Sequence, residues 1–484
     1  MNKEPAITGS PARPASPAEA LARIKDAVGP KGWTDAPDAL EPWLVDSRGT
    51  YRGACALMVM PASTEEVASV VAICSEYGIP IVPQGGNTGR CGGSTPDADG
   101  RSILLNLVRM NRIRDVDATD FTMTVEAGCI LQTIQTAAEE VDRLFPLSLG
   151  AEGSCQIGGN LATNAGGINV LRYGNARELV LGLEVVLPSG EVWQGLRRLR
   201  KDNTGYDLKD LFIGSEGTLG IITAAVLRLF PRPKDVATAL VALDSTKQAI
   251  TLLGQAREAS GDALTSFEIM ARITLETAER HIERATVPLS VPYEWAVLIE
   301  FGDTRPEGGA TARMESFLEA ALEDGLVTDA VIAQSEQQRK DLWFLREAIL
   351  DGQAFEGEAI KGDISVAVSR IPEFVQRAAV MLEQAMPGIR PFPFGHVGDG
   401  NLHYNLSQPV GMDPDAFKAE KPRITKLLND LVHEMEGSIS AEHGIGQLKR
   451  DLLPRYKDAL DLKLMRQIKA TLDPKGLMNP GKLL

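Results

Sequence analysis

The stretch PFPFGHVGDGNLHYN, residues 391–405, holds two histidines around a glycine-rich turn, in a chain with only five histidines. Glycines in the Gly398-Asp399-Gly400 segment permit a sharp chain reversal, which brings His396 and His403 together. Much farther along the chain, Glu442 offers a carboxylate. Two neutral imidazoles and one carboxylate, with one position left open, are typical of a catalytic zinc site. The alternative is that one histidine packs in the core and the other faces solvent.

Two cations in the second half of the chain are candidates for binding an anionic substrate. Arg346 lies in LWFLREAIL, a helical pattern with apolar neighbours, and a buried arginine binds a bidentate anion such as a carboxylate. The alternative is a partner such as Glu347, or a head group that extends to solvent. Lys361 and Asp363 lie on the strand face opposite Ile364, where they meet either a site or bulk water.

Three glycine-rich stretches occur in the first half of the chain, at 84–94, 149–167 and 214–222. The first follows a βαβ pattern in which Ser63-x-x-Glu66 is a capping box at a helix start. Its glycines leave backbone N–H groups unshielded, and such a loop can bind a pyrophosphate. One loop of this kind is as readily a surface turn. Three of them together favour a long cofactor that lies across several loops.

Apolar periodicity and turn residues divide the chain into regions. A strand at 121–128, a helix at 134–141 and a hairpin about Pro188-Ser189-Gly190 continue the α/β pattern, and KGDISVAVSRI (361–371) is typical of a strand. From about residue 235 the sequence pattern changes to one of alternating strands and charged helices with few glycines. We predict a mobile N-terminal tail with a lead-in helix at 1–40, a cofactor domain at 41–233, a substrate domain at 234–415 and a C-terminal helical segment at 416–484.

Composition excludes several classes of protein. The formal charge of −15 repels phosphate backbones and acidic membrane surfaces, so a nucleic-acid partner is not expected. No apolar run is long enough to cross a membrane, and the N-terminus lacks the apolar segment of a signal peptide. The five cysteines all precede residue 156 without a C-x-x-C pair, which favours reduced thiols. These features predict a cytoplasmic protein, and dimers are the commonest oligomers, so we expect a homodimer.

Six long motifs, in order, resemble the flavin-dependent oxidoreductases of the vanillyl-alcohol oxidase type, and within them the D-2-hydroxyacid dehydrogenases. The motifs are PQGGNTGRCGGS, PLSLGAEGSCQIGGNLATNAGG, LKDLFIGSEGTLGIIT, GHVGDGNLHYN, SAEHGIGQLKR and LMNPGK. They cover the chain from about residue 40 to its end. The resemblance implies an α+β protein: an FAD-binding domain of two α/β subdomains, a substrate domain built on an antiparallel sheet, and a C-terminal helical segment that returns to the flavin.

The resemblance also implies which residues bind FAD. The first glycine-rich loop holds the pyrophosphate, the other two complete the site, and the asparagine of LMNPGK lies near the flavin. No histidine precedes His281 and Cys91 lies within the pyrophosphate loop, so we expect noncovalent FAD. The cofactor residues implied are Pro83, Gly85, Gly86, Asn87, Thr88, Gly89, Gly92, Gly93, Ser94, Pro146, Leu149, Gly150, Gly153, Ser154, Gly158, Gly159, Asn160, Thr163, Asn164, Gly166, Gly167, Glu216, Gly217, Gly220, Ile221, Ile222 and Asn479.

By the same resemblance, His396, His403 and Glu442 match the ligands of a divalent metal, for which we predict zinc, and His443 matches the catalytic base. Hydride then passes from C2 of the hydroxy acid to flavin N5 while the metal lowers the pKa of the hydroxyl. His443 takes the proton. The electrons leave for a carrier such as electron-transfer flavoprotein or a quinone.

Arg346 and Lys361 look like the pair that grips the distal carboxylate in members acting on D-2-hydroxyglutarate, and Asn405 is expected to face the same pocket. Two positions depart from that pattern: Leu350 replaces a hydrogen-bonding threonine, and Gly362 replaces a histidine. The alternative is a D-lactate or glycolate dehydrogenase on the same fold. Two other classes stay open at this point, a zinc hydrolase and a non-catalytic flavoprotein.

Overall fold

The computed structural model describes residues 17–484, so most of the predicted mobile tail lies outside the described residues. A helix, Pro17–Val28, lies within the stretch 1–40 for which we predicted a tail and a lead-in helix. Through residue 231 the elements are α1 (Pro17–Val28), β1 (Trp33–Thr34), α2 (Pro37–Leu44), β2 (Leu57–Val59), α3 (Thr64–Tyr77), β3 (Ile81–Gln84), β4 (Ile103–Asn106), β5 (Ile113–Asp117), β6 (Thr122–Glu126), α4 (Leu131–Glu140), β7 (Arg143–Leu144), α5 (Ile157–Ala162), α6 (Val170–Tyr173), β8 (Val180–Val186), β9 (Val192–Gly195), α7 (Lys209–Phe212), β10 (Ile221–Arg228) and β11 (Phe230–Pro231).

The rest of the chain alternates strands with longer helices and ends in helices. Its elements are β12 (Asp235–Leu243), α8 (Thr246–Ser260), β13 (Leu264–Ala271), α9 (Arg272–His281), β14 (Trp295–Asp303), α10 (Ala310–Glu323), β15 (Asp329–Ile332), α11 (Glu336–Ala354), β16 (Ala359–Ile360), β17 (Ile364–Ser365), α12 (Ile371–Ala385), β18 (Arg390–Gly395), β19 (Asn401–Ser407), α13 (Pro414–Glu434), α14 (Leu453–Tyr456) and α15 (Ala459–Leu472).

The predicted βαβ unit is β2, α3 and β3. The Ser63 hydroxyl accepts the N–H of Glu66 at 3.2 Å, which caps the start of α3, and the Glu66 carboxylate accepts the N–H of Ala62 at 2.7 Å. Gly78 ends the helix in the left-handed conformation at φ 68°, as a C-terminal glycine does. The chain then enters β3, whose last residue leads directly into the first glycine-rich loop.

Two sheets make up the first half of the chain. The four-stranded sheet has the order β1-β2-β4-β3, with β2, β4 and β3 parallel, and the five-stranded sheet β5-β6-β10-β8-β9 is antiparallel. The C-terminal residues return to the first sheet, since Met478 bridges Ile81 in parallel and the Asn479 N–H donates to the Ile81 carbonyl at 2.8 Å. The end of the chain therefore lies against the strand that carries the first glycine-rich loop.

The second half is built on one large antiparallel sheet with helices on both faces. The strand order is β15-β12-β14-β13-β18-β19-β16, and β17 pairs with β19. Alternate residues of β12 face opposite sides: Val241 joins a core with α8, α10 and α12, and Leu240 joins a core with α9 and α11. Burial on both faces makes this sheet a rigid base for side chains at its edge.

The β18–β19 hairpin contains the histidine-rich stretch and confirms the predicted chain reversal. Phe394 pairs with His403 across the two strands, and Gly400 adopts a positive φ of 89° in the turn. Of the strand predicted at 361–371, only Ile364–Ser365 forms one, paired with Leu402 and Asn401. The prediction is wrong for residues 361–363, which lie outside any strand, and beyond Ser365, where β19 begins at Asn401 and gives the later residues no partner strand. The chain instead forms a single 3₁₀ turn, Val368–Arg370, before α12.

No helix among residues 17–484 is both long enough and apolar enough to cross a membrane.

Candidate active site

The hairpin turn brings His396 and His403 together and places Glu442 beside them. Their candidate ligand atoms all lie within 4.8 Å of one another, and the two imidazole rings are 5.6 Å apart. The His443 ring stacks on His403 at 5.8 Å. The alternative in which the two histidines lie apart, one in the core and one in solvent, is wrong.

The Glu268 carboxylate holds His396 from behind. Glu268 lies on β13, 1% exposed, and its Oε1 is 2.5 Å from Nδ1 of His396. Burial opposes ionisation, but the charges of His396 and Arg346 outweigh it and lower the pKa of Glu268 to about 2. A carboxylate on one imidazole nitrogen fixes the ring and leaves the other nitrogen for a metal.

The same carboxylate binds Arg346. Nε of Arg346 donates to Oε2 of Glu268 at 2.9 Å, and the guanidinium also lies over the Phe394 ring at 4.7 Å. The partner is therefore Glu268 and not Glu347, the partner considered from the sequence. Since Glu268 already neutralises this arginine, less of its charge is available for a substrate carboxylate than we expected.

His403 has the electrostatics of a neutral ligand. Burial lowers its pKa to about 4, so the imidazole stays uncharged at neutral pH. Its Nε2 lies 3.5 Å from Oε1 of Glu442. The donor set of two imidazoles and one carboxylate fits a divalent metal.

Asp363 positions His443. Oδ2 of Asp363 lies 3.1 Å from Nδ1 of His443 and accepts the backbone N–H groups of Glu442 and His443 at 3.2 and 3.0 Å. Burial opposes ionisation of Asp363, but its bond to His443 outweighs that and holds its pKa well below the usual range. Nδ1 faces Asp363, so Nε2 is the nitrogen that can take up a proton, and it lies 3.5 Å from Oε1 of Glu442. The sequence placed Asp363 beside Lys361 but gave it no role.

Lys361 and Asn405 meet at Gln353, a fully buried residue of α11 that sequence reasoning missed. Nζ of Lys361 donates to Oε1 of Gln353 at 2.5 Å, and Asn405 donates to the same oxygen at 2.9 Å. Burial and the charges of Arg48 and Arg90 lower the pKa of Lys361 to about 8. The structure thus brings Lys361 and Asn405 into one polar cluster.

Gly362 and Leu350, the two departures from the hydroxyglutarate pattern, differ in their surroundings. A Cβ on Gly362 would lie 2.5 Å from the Tyr404 carbonyl oxygen, so this backbone has no room for a side chain there. The Gly362 N–H donates to Asn405 at 3.1 Å. Leu350 is 42% exposed on α11.

The three glycine-rich stretches and the C-terminus meet in one place. A Cβ on Gly86 would lie 2.0 Å from the Ser154 carbonyl oxygen, so the first two stretches pack backbone to backbone. The amide of Asn479 donates to the carbonyls of Gly93 and Glu216 at 2.9 and 2.7 Å. A Cβ on Gly166 would lie 3.3 Å from Glu442, so this site adjoins the histidine cluster.

The residues at this meeting point fit a polar cofactor such as FAD. Buried side-chain oxygens of Gln156, Asn160 and Asn479 have no partner in the described part of the chain, and leaving such acceptors unpaired is costly. Oε1 of Gln156, a residue that sequence reasoning missed, lies 3.4 Å from the Cβ position of Gly85. By contrast, several implied cofactor side chains are already bound to protein groups: those of Asn87, Ser94, Thr163, Asn164 and Glu216.

Comparisons with known proteins agree with this arrangement. The family description "FAD linked oxidases, C-terminal domain" matches residues 232–483, and "FAD binding domain" matches residues 55–195. The chain is 40% identical to the mitochondrial D-2-hydroxyglutarate dehydrogenase of Bos taurus, over 96% of this chain and 83% of the relative. It is 41% identical to the D-2-hydroxyglutarate dehydrogenase of Xanthomonas citri pv. viticola, over 88% of each chain.

Solved structures share the fold across nearly the whole chain. p-Cresol methylhydroxylase superposes with a TM-score of 0.74 at 17% identity, covering 96% of each chain. The 4-ethylphenol oxidase of Gulosibacter chungangensis gives 0.72 at 19% identity, also over 96% of each chain. The fold class expected from the motifs is confirmed. The FAD-binding-domain match contains the first two glycine-rich stretches, which a zinc hydrolase leaves unexplained. This chain belongs to the FAD-linked oxidases and is an FAD-dependent dehydrogenase that acts on a CH–OH donor.

Proposed function

We propose that this protein oxidises D-2-hydroxyglutarate to 2-oxoglutarate, with hydride transfer to N5 of noncovalently bound FAD and with a divalent metal, zinc, in the site. One observation carries the proposal: the His396, His403 and Glu442 cluster, the His443–Asp363 pair and Lys361 lie together beside the cofactor loops. The names of the bovine and Xanthomonas relatives support this substrate.

The cofactor loops of the first half and Asn479 would hold FAD, and bound FAD supplies the two-electron acceptor. The Cys91 thiol is buried and its pKa is raised to about 11 by burial, so it lacks the thiolate character of an attachment site. This supports noncovalent FAD. A carrier such as electron-transfer flavoprotein or a quinone then reoxidises the flavin.

His396, His403 and Glu442 would hold the metal, which supplies a Lewis acid for the hydroxyl and C1 carboxylate of the substrate. Glu268 keeps His396 oriented from the far side. His443 takes the hydroxyl proton on Nε2, because its Nδ1 faces Asp363. The Asp363 carboxylate stabilises the imidazolium that forms.

Lys361 is the cation best placed for the distal carboxylate. Its ammonium has donors beyond the bond to Gln353, and Asn405 lies in the same cluster. A D-lactate or glycolate dehydrogenase, the alternative on this fold, would leave that charge without a substrate partner. We extend the proposal to a cytoplasmic homodimer whose cofactor domain is 41–233, whose substrate domain is 234–415 and whose C-terminal segment is 416–484.

The test is anaerobic reduction of the bound flavin, which is monitored through the loss of its visible absorbance. D-2-Hydroxyglutarate, D-lactate, D-malate and their L-enantiomers are each mixed with the enzyme before and after treatment with a chelator. We expect D-2-hydroxyglutarate to reduce the flavin fastest and the chelator to stop the reaction. Faster reduction by D-lactate or D-malate would contradict the proposed substrate. Reduction that continues after chelation would contradict the proposed need for a metal.

A further inference from the structure

Arg48 lies in a short turn that is fastened to the first glycine-rich loop. The buried Asp46 carboxylate shapes the turn by accepting the N–H groups of Arg48 and Tyr51 at 3.2 and 2.6 Å. The Ser47 hydroxyl donates to the Gly89 carbonyl at 2.8 Å. The backbone that carries Arg48 is thus held next to the loop residue that precedes Arg90.

Arg90 is in turn held close to the segment that carries His443. The Cys91 thiol donates to the Gly444 carbonyl at 3.4 Å, and the Gln447 amide donates to the Gly92 carbonyl at 2.9 Å. Two arginines of the first half therefore lie next to the C-terminal segment that carries His443.

Neither guanidinium has a hydrogen bond or ion pair among residues 17–484, and both side chains are exposed. The charged groups near Arg48 are those of Arg90, Asp46 and Asp363. Asp46 and Asp363 are already occupied by backbone N–H groups, and Asp363 also by His443. Two neighbouring arginines without a protein partner can bind an external anion, which a chain with a charge of −15 otherwise repels.

That place lies near Lys361, because Cys91, next to Arg90, binds Gly444, and Asp363, two residues after Lys361, accepts the N–H of His443. The charges of Arg48 and Arg90 also help to lower the pKa of Lys361. Arg346 on the other side is neutralised by Glu268. The free positive charge around the pocket therefore comes from Lys361 and from these two arginines of the cofactor half.

We propose that Arg48 and Arg90 bind the distal carboxylate of a dicarboxylic 2-hydroxy acid together with Lys361, so that the cofactor half sets the preference for a dicarboxylic substrate. The inference rests on the proposed function, since it names residues that recognise the same substrate. Guanidinium groups suit this role because they bind a carboxylate through two parallel N–H bonds. The competing assignment is that the two arginines bind the FAD pyrophosphate.

The variants are Arg48→Met and Arg90→Met, singly and together. Arg52→Met is the matched control, because Arg52 lies in the same part of the chain but is exposed and paired with Glu41 at 2.6 Å. Calorimetry gives the affinity of each purified holoenzyme for 2-oxoglutarate and for 2-oxopentanoate, which has the same chain length and no distal carboxylate. Steady-state kinetics give KM for D-2-hydroxyglutarate, and absorbance gives the FAD content.

We expect each arginine substitution to weaken 2-oxoglutarate binding and raise KM by about tenfold or more, because a lost hydrogen bond to a charged group has that effect. Affinity for 2-oxopentanoate changes by less than about twofold, since it makes no such bond. FAD content stays at the wild-type level, and the Arg52 variant behaves as wild type.

Equal losses for both oxo acids, loss of FAD, or no change in either affinity would each overturn the inference, and loss of FAD would assign the arginines to the pyrophosphate. If D-2-hydroxyglutarate does not reduce the flavin of the wild-type enzyme, the proposed function is refuted, and this inference with it. If D-2-hydroxyglutarate reduces the wild-type flavin but the arginine variants keep full affinity for 2-oxoglutarate, this inference alone is refuted.

Discussion

Asp363→Asn separates the role of Asp363 in the reaction from its role in the fold. The Asp363 oxygen that faces His443 also accepts two backbone N–H groups, and the other oxygen accepts the Asn401 amide at 3.2 Å. An asparagine can place its carbonyl oxygen toward His443 and keep the backbone bonds, but its amide nitrogen cannot accept from Asn401, so that one side-chain bond is lost. It loses the negative charge that stabilises the imidazolium of His443.

The expected loss follows from that one interaction. A hydrogen bond to a charged group contributes about 1.5–3 kcal/mol, and removing the charge costs up to that amount in the transition state. This corresponds to a fall of about 10- to 150-fold in the rate of flavin reduction. KM changes little, because Asp363 does not contact the substrate in our proposal.

The assay is anaerobic stopped-flow reduction of the flavin by D-2-hydroxyglutarate, with FAD content and thermal unfolding measured on the same samples. Asp303→Asn is the control, since Asp303 is a similarly buried aspartate of the second half that binds Arg305 and Arg313. We expect the control to reduce its flavin at the wild-type rate. An Asp363→Asn variant that folds normally and is reduced as fast as wild type would refute the positioning of His443 by this carboxylate.

Three further predictions follow from the site. Burial and neighbouring charges lower the pKa of Lys361 to about 8, so the ammonium is protonated below that pH. KM for D-2-hydroxyglutarate should therefore rise as the pH increases through about 8, and this rise should be missing in Lys361→Met. Arg346→Ala leaves the buried Glu268 carboxylate without its arginine, so the free energy of unfolding, measured by denaturant titration, should fall by about 3–5 kcal/mol. The double variant Arg346→Ala with Glu268→Gln removes both charges, and its free energy of unfolding should fall by clearly less. Chelation should abolish turnover while FAD stays bound, and added zinc should restore it; turnover that cannot be restored would instead indicate damage to the fold.

Local features of the fold were readable from the sequence because short-range chemistry determines them. Ser63 and Gly78 mark the two ends of α3, and the glycines after His396 specify a chain reversal. The meeting of His396 and His403 follows from that reversal alone. KGDISVAVSRI was overpredicted as a strand, because an apolar alternation does not reveal whether a partner strand continues beside it.

The partners of the predicted residues were not readable, since they come from distant segments. Glu268 reaches His396 and Arg346 only because β13 pairs with β18, with Ile269 opposite Gly395. Gln353 meets Lys361 and Asn405 through the packing of α11 on the sheet edge. A buried glutamate or glutamine looks the same in sequence as an exposed one, so these polar contacts need the tertiary structure.

The segment that carries His443 depends on both halves of the protein. Asp363 of the second half accepts the N–H groups of Glu442 and His443, and Glu216 of the first half accepts those of Ile445 and Gly446 at 2.8 and 2.7 Å. Two carboxylates thus hold the backbone on either side of Gly444. Because Glu216 lies in the third glycine-rich stretch, the packing of that stretch also sets the position of His443, and a shift of either half would move this proposed base.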